Sequence, residues 1–137
     1  RGTPKPFRQF GAPWIDSNAL AARLNALKLP GLRFTPTSFT PTSSKHQGQA
    51  CHGVEITLVD RKRLEPFWAG VLIVNEVCKM SPDPFEWHAS HFDRLCGTDA
   101  IRKAITAGRP LLHLRNAWTG ECRIFEQLRD KYCLYVE

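Results

Sequence analysis

Proline placement constrains this chain more than any other feature. Pro30, Pro66, Pro82, Pro84 and Pro110 fall at helix boundaries, and Pro4, Pro6 and Pro13 stiffen the opening stretch "RGTPKPFRQFGAPW". A proline inside a helix loses a hydrogen bond and clashes with the preceding turn, so helices must fit between these residues. The first is expected over Ile15 to Leu29. Asp16 caps it, Ile15 and Leu20 form a staple across the cap, and Pro30-Gly31 stops it. A second begins at Pro66 with Phe67, Val71, Val74 and Cys78 as its inner stripe, and ends at Ser81-Pro82. A third is capped by Thr98 or Asp99, turns Ile101 and Ile105 inward and stops at Gly108-Arg109-Pro110. A fourth runs from about Thr119 to Lys131, with Phe125, Leu128 and Tyr132 in line.

Strands fill the remainder. Val54, Ile56 and Leu58 alternate with Glu55 and Thr57 in "CHGVEITLVD", Cys51 to Asp60, which is the period of a strand buried on one face. "LRF", Leu32 to Phe34, is a second, shorter strand. "FEW" and the closing "LYV" are candidates for further ones. The segment from Thr35 to Gln49 has neither period, and by composition alone reads as a linker, although Phe39 between two Thr-Pro steps is unusual in one. Residues 84–97 read as irregular. The expected fold is α+β: three or four helices packed on a small, mostly antiparallel sheet, with long Pro-rich loops.

The 137 residues suit one domain, and 42% apolar with 23% charged residues argues against wholesale disorder. No apolar run reaches the ~20 residues of a membrane span. The net charge of +6 lies entirely in residues 1–65, with 10 Lys/Arg against 4 Asp/Glu; residues 66–137 hold 9 of each. Such asymmetry suggests an anionic partner: nucleic acid, an acidic glycan or another domain. The basic residues are dispersed, without the interleaved aromatics of single-strand binders, which counts against nucleic acid.

Little in the sequence marks a reaction centre. His88 and His91, with Asp93 and Cys96 nearby, lack the tight ligand pairs of structural zinc sites, so no metal and no cofactor is expected. Cys51 and His52 are adjacent on a strand and point to opposite faces, which disfavours a Cys–His nucleophile. Five cysteines exclude a complete disulfide framework. Glycosidic hydrolysis usually needs two carboxylates flanking the scissile bond. Glu76, Glu121, Glu126 and Asp130 read as solvated helix faces and Asp60 as a turn residue. Glu55, opposite the buried strand face, either lines a cleft or is solvated. No catalytic pair emerges.

Four segments together carry a resemblance: "RGT…PF…GAPW" at 1–14, "RFTPTSFTPT" at 33–42, "CHGVEI" at 51–56 and the closing "YCLYVE". In this order and spacing the chain resembles the C-terminal part of the YbbC-like family, which includes the NamZ-type exo-β-N-acetylmuramidases. The resemblance implies that residues 1–137 form a single C-terminal-type domain, preceded in the family by a Rossmann-like domain that is missing here. It further implies part of a hydrolase that removes N-acetylmuramic acid from peptidoglycan fragments, located in the bacterial cell envelope or secreted. The substrate cleft would lie between the domains, with the main acidic residues on the first, so no catalytic residue is assigned within this chain. The implied partners are that N-terminal domain and a muropeptide or amino-sugar substrate. The substrate-binding candidates are Arg1 for a carboxylate, Thr3 for a sugar hydroxyl, Trp14 or Phe39 as a flat face for a pyranose, and Glu55. Alternatively, Phe7, Phe10 and Trp14 pin the opening loop to the core and Arg1 touches the missing domain. Residues 35–49 would form the second cleft wall. Lys45-His46 departs from the family pattern, standing where a Tyr-like aromatic is expected. The competing function is a non-catalytic glycan- or protein-binding module.

Overall fold

The computed structural model describes residues 2–81, 83 and 85–134. Its elements are β1 (Gln9–Ala12), α1 (Ser17–Ala26), β2 (Leu32–Phe39), β3 (Cys51–Leu58), α2 (Pro66–Met80), α3 (Ala89–Cys96), α4 (Ala100–Thr106) and α5 (Leu112–Arg129), then a 3-10 turn at Asp130–Tyr132. The fold is α+β, as the sequence predicts, with five α-helices among the described residues. The chain divides into two units, one up to Glu86 and one from Trp87 onward.

The first unit is built on the sheet. Its strands run in the order β1-β3-β2 and both pairings are antiparallel. Val54 at the centre of β3 is fully buried, flanked by Phe10 of β1 and by Pro36, across from it on β2. Phe34, Ala12, Leu20, Leu24, Leu29 and Ala69 complete the core beside it. Asp16 caps α1 by accepting the N–H groups of Asn18 (2.9 Å) and Ala19 (3.0 Å), and Ile15 and Leu20 join the same core cluster. The hydroxyl of Ser17 bridges two strands: it donates to the Thr37 carbonyl at 3.1 Å and accepts from the Gly53 N–H at 3.0 Å.

Two strands exceed expectation. β2 continues from Phe34 through Thr35, Pro36, Thr37 and Ser38 to Phe39, so the first part of the supposed linker is strand. Pro36 is tolerated for a geometric reason. Phe34 turns its N–H and C=O away from β3 to the side-chain amide of Asn25 (3.0 and 2.8 Å), and Pro36, two residues on, has the same phase. The N–H it lacks would have faced outward from an edge strand. β1 lies within the opening stretch, where a loop without regular hydrogen bonding was expected. Gly11 of β1 sits opposite Gly53 of β3, and the backbones approach so closely that a Cβ on Gly53 would lie 2.0 Å from the Phe10 carbonyl oxygen.

On α2 the expected stripe is displaced. Ala69, Leu72, Ile73, Val77 and Met80 pack into the core, whereas Phe67 is exposed and Val74 and Cys78 are half-buried; Val71 is buried outside that cluster. The helix is apolar on most sides, so periodicity alone did not single out the buried face. Glu76 of α2, read as solvated, is buried and holds α1 to α2: Arg23 donates two hydrogen bonds to its Oε2 (3.0 and 2.7 Å). Asn75 and Lys79 contact its Oε1.

In the second unit, α3 occupies sequence expected to be irregular, and 85–87 form no strand. Arg102 of α4 grips Asp93 of α3 through three N···O contacts of 2.7–3.1 Å. Thr98, not Asp99, provides the capping hydroxyl for α4, accepting from the Ala100 N–H at 3.2 Å, while Asp99 pairs with Lys103. Helix α5 begins seven residues before the expected Thr119. The stripe of Phe125, Leu128 and Tyr132 is exposed. The proposed strand "LYV" lies largely outside the described residues.

Candidate functional site

The sheet and the loops above it enclose a cavity of about 440 Å³. One wall is the opening segment, with Thr3, Pro6, Phe7, Gln9, Phe10, Gly11 and Trp14. The other is the loop after β2, with Phe39, Pro41, Ser44, Lys45 and His46. Cys51, Val77, Phe85 and Glu86 complete the lining.

Both walls are held by specific contacts. The carbonyl of Gly2 accepts from the Thr42 N–H at 2.8 Å and from its hydroxyl at 3.2 Å, joining one wall to the other. Beyond Pro41 the loop folds on itself, with Gly48 N–H bound to the Pro41 carbonyl (2.9 Å) and Gln49 N–H to that of His46 (3.0 Å). Ser44 and His46 have φ of 71° and 61°, and Gly48 has 74°. A left-handed non-glycine residue costs on the order of 1 kcal/mol and persists only where its surroundings enforce it. The His46 imidazole meets the Trp14 ring edge-to-face, 5.2 Å apart at 80°. His46 thus packs where a Tyr-like aromatic was expected.

Three of the five sequence candidates meet at this cavity: Thr3, Trp14 and Phe39. Trp14 is 43% exposed, so its indole is available at the surface and is no buried anchor. Phe7 is fully exposed and left-handed (φ 64°), and of the three aromatics proposed as pins only Phe10 packs against the core. Glu55 does not line the cavity. Its carboxylate accepts from Lys5 (2.7 Å) and Arg8 (3.1 Å), and the Lys5 hydrogen bond is the main reason its pKa falls below the ordinary 4.5. Glu55 therefore fastens the opening segment to β3. Arg1 lies outside the described residues.

Sequence reasoning missed the side of the cavity formed by Lys45 and His46, and also Cys51, Val77 and Glu86. The signal available was the Lys45-His46 departure itself. Cys51 is buried, and burial pushes its thiol pKa up, while His52 is exposed on the other face of β3; the geometry gives no activated thiolate. Among the described residues, Glu86 is the one carboxylate on the cavity lining, and no group of three His, Cys, Asp or Glu gathers to hold a metal. None of the described helices is long and apolar enough to cross a membrane.

Known proteins place this architecture. The family described as "Exo-beta-N-acetylmuramidase NamZ, C-terminal" matches residues 1–135. The chain belongs to the NamZ C-terminal family. The peptidoglycan beta-N-acetylmuramidase NamZ of Bacillus subtilis (strain 168) is 40% identical over 136 residues, which cover 98% of this chain and 33% of that protein. This NamZ C-terminal chain thus spans a third of the length of the curated relative it matches. A crystal structure of a DUF1343 family protein from Bacteroides fragilis NCTC 9343 has the same fold, with a TM-score of 0.88 at 28% identity, over 98% of this chain and 37% of that one.

Proposed function

We propose that this NamZ C-terminal chain is part of a longer peptidoglycan-active exo-β-N-acetylmuramidase and supplies one wall of its substrate cleft. It would follow a Rossmann-like N-terminal domain. The observation that carries this reading is the cavity in which Thr3, Trp14 and Phe39 converge, on a chain of this family. Trp14 and Phe39 offer apolar faces to a pyranose ring, and Thr3 offers a hydroxyl to a sugar hydroxyl. A single carboxylate among the described lining residues falls short of the pair that glycosidic hydrolysis usually requires. The wall therefore binds and orients, and the acid chemistry belongs to the rest of the protein.

The test is release of N-acetylmuramic acid from a muropeptide analogue whose terminal sugar carries no peptide, by the full-length natural protein against the 137 residues alone. The full-length protein should turn over and the 137 residues should not. Trp14→Ala in the full-length protein should lower kcat/KM by about tenfold or more, the loss of one aromatic contact at a binding site. Turnover by the isolated chain, or an unchanged kcat/KM, would overturn the assignment. Saturable sugar binding by the isolated chain with no hydrolysis by the full-length protein would instead favour a glycan-binding module.

A further inference from the structure

We infer that Lys45 and His46 form the specificity-determining face of this cavity and recognise the carboxylate carried by an acidic amino sugar. The inference rests on the reading of the cavity as a sugar site and assigns residues that the reading left without a role.

The loop presents them at a conformational cost. His46 stands in the left-handed region, two residues from Ser44 and from Gly48, which share it. Trp14, itself on the cavity lining, holds the imidazole edge-to-face. Strain maintained by a surrounding lattice of contacts is what a positioned binding loop shows. Beside it, Lys45 pairs with no carboxylate among the described residues, although Glu86 lines the same cavity. Among the described residues of the opening segment, the cations Lys5 and Arg8 both bind Glu55.

The cavity is therefore polarised, with an ammonium and an imidazole on one wall and the Glu86 carboxylate elsewhere on the lining. N-acetylmuramic acid carries its one negative charge on the lactyl ether. A carboxylate there would accept from Lys45 Nζ and a His46 ring N–H, whereas Glu86 repels it from its own side. Together these charges fix which edge of the ring faces which wall, while Trp14 and Phe39 contact its faces.

The experiment uses the full-length natural protein and two chromogenic substrates: 4-nitrophenyl β-N-acetylmuramide and the same glycoside with its lactyl group as the methyl ester. Wild type should prefer the acid in kcat/KM. Lys45→Gln should reduce the acid-to-ester ratio by about 10- to 100-fold, as expected for loss of a charge-assisted contact. His46→Asn tolerates the left-handed backbone and should reduce the ratio less. A ratio in Lys45→Gln within twofold of wild type overturns the inference and leaves the sugar-site reading standing. Failure of wild type to cleave either substrate overturns that reading and the inference with it.

Discussion

Asn25 completes the edge of β2, and replacing it should separate two distinct penalties. Its amide donates to the Phe34 carbonyl at 2.8 Å and accepts the Phe34 N–H at 3.0 Å. Each such hydrogen bond contributes about 1 kcal/mol net, so Asn25→Ala loses about 2 kcal/mol. Alanine is the better helix former and returns about 0.5 kcal/mol in the last turn of α1. The expected loss is about 1.5 kcal/mol, or about 6 °C in Tm for a chain of this length. Asn25→Asp behaves differently. At neutral pH it keeps the acceptor but turns an oxygen toward the Phe34 carbonyl, so it should be at least as damaging as alanine. Protonation lets the introduced carboxyl donate again. Its folded-state pKa is thus raised above the ordinary value near 4, and the stabilisation is complete below that value and lost as pH rises through the raised pKa. Denaturant unfolding of wild type, Asn25→Ala and Asn25→Asp between pH 7 and pH 3 tests both parts. The aspartate deficit should shrink toward pH 3 while the alanine deficit stays level. A neutral alanine variant, or parallel pH curves for the two, would refute the view that this amide acts as a surrogate strand.

Glu55 gives a second pH signature of opposite origin. Its pKa is depressed by the Lys5 hydrogen bond and the charges of Lys5 and Arg8, so its contribution is present above 4.5 and fades as pH falls below it. Glu55→Gln should lower Tm at pH 7, by a gap that narrows as pH falls below 4.5; a constant gap would show that the ion pairs do not stabilise the fold. Gly53→Ala should cost about 3 kcal/mol, since its Cβ would overlap the Phe10 carbonyl and force β1 from β3; a Tm within 2 °C of wild type would mean that the strands are not so closely apposed.

Local signals were readable where a single residue sets the outcome. Asp16 fixed the start of α1 and Pro66 opened α2, whereas α1 ends at Ala26, short of the expected Leu29 and ahead of Pro30-Gly31, where Lys28 turns left-handed (φ 51°). What was hidden depends on partners distant in sequence. β1 is four residues with a glycine, and becomes a strand only because Gly53 lets it approach. Thr35 to Phe39 has no strand period, and pairs because β3 lies along one side and Asn25 begins a partner on the other. At the site, Thr3, Trp14 and Phe39 were found from the family's motifs, and the structure brings them together. Glu55 was misplaced because alternation gives the face of a residue but not the cation waiting there. Lys45 and His46 were visible only as a mismatch, since their position depends on the left-handed turn at Ser44, His46 and Gly48 and on contact with Trp14, distant in sequence.

The Gly2 carbonyl has a mechanical consequence. One oxygen receives two donors from Thr42, so the opening segment is tied to the loop after β2 here as well as at Trp14 and His46. Losing the Thr42 donors would therefore release the start of the opening segment from the loop that faces it.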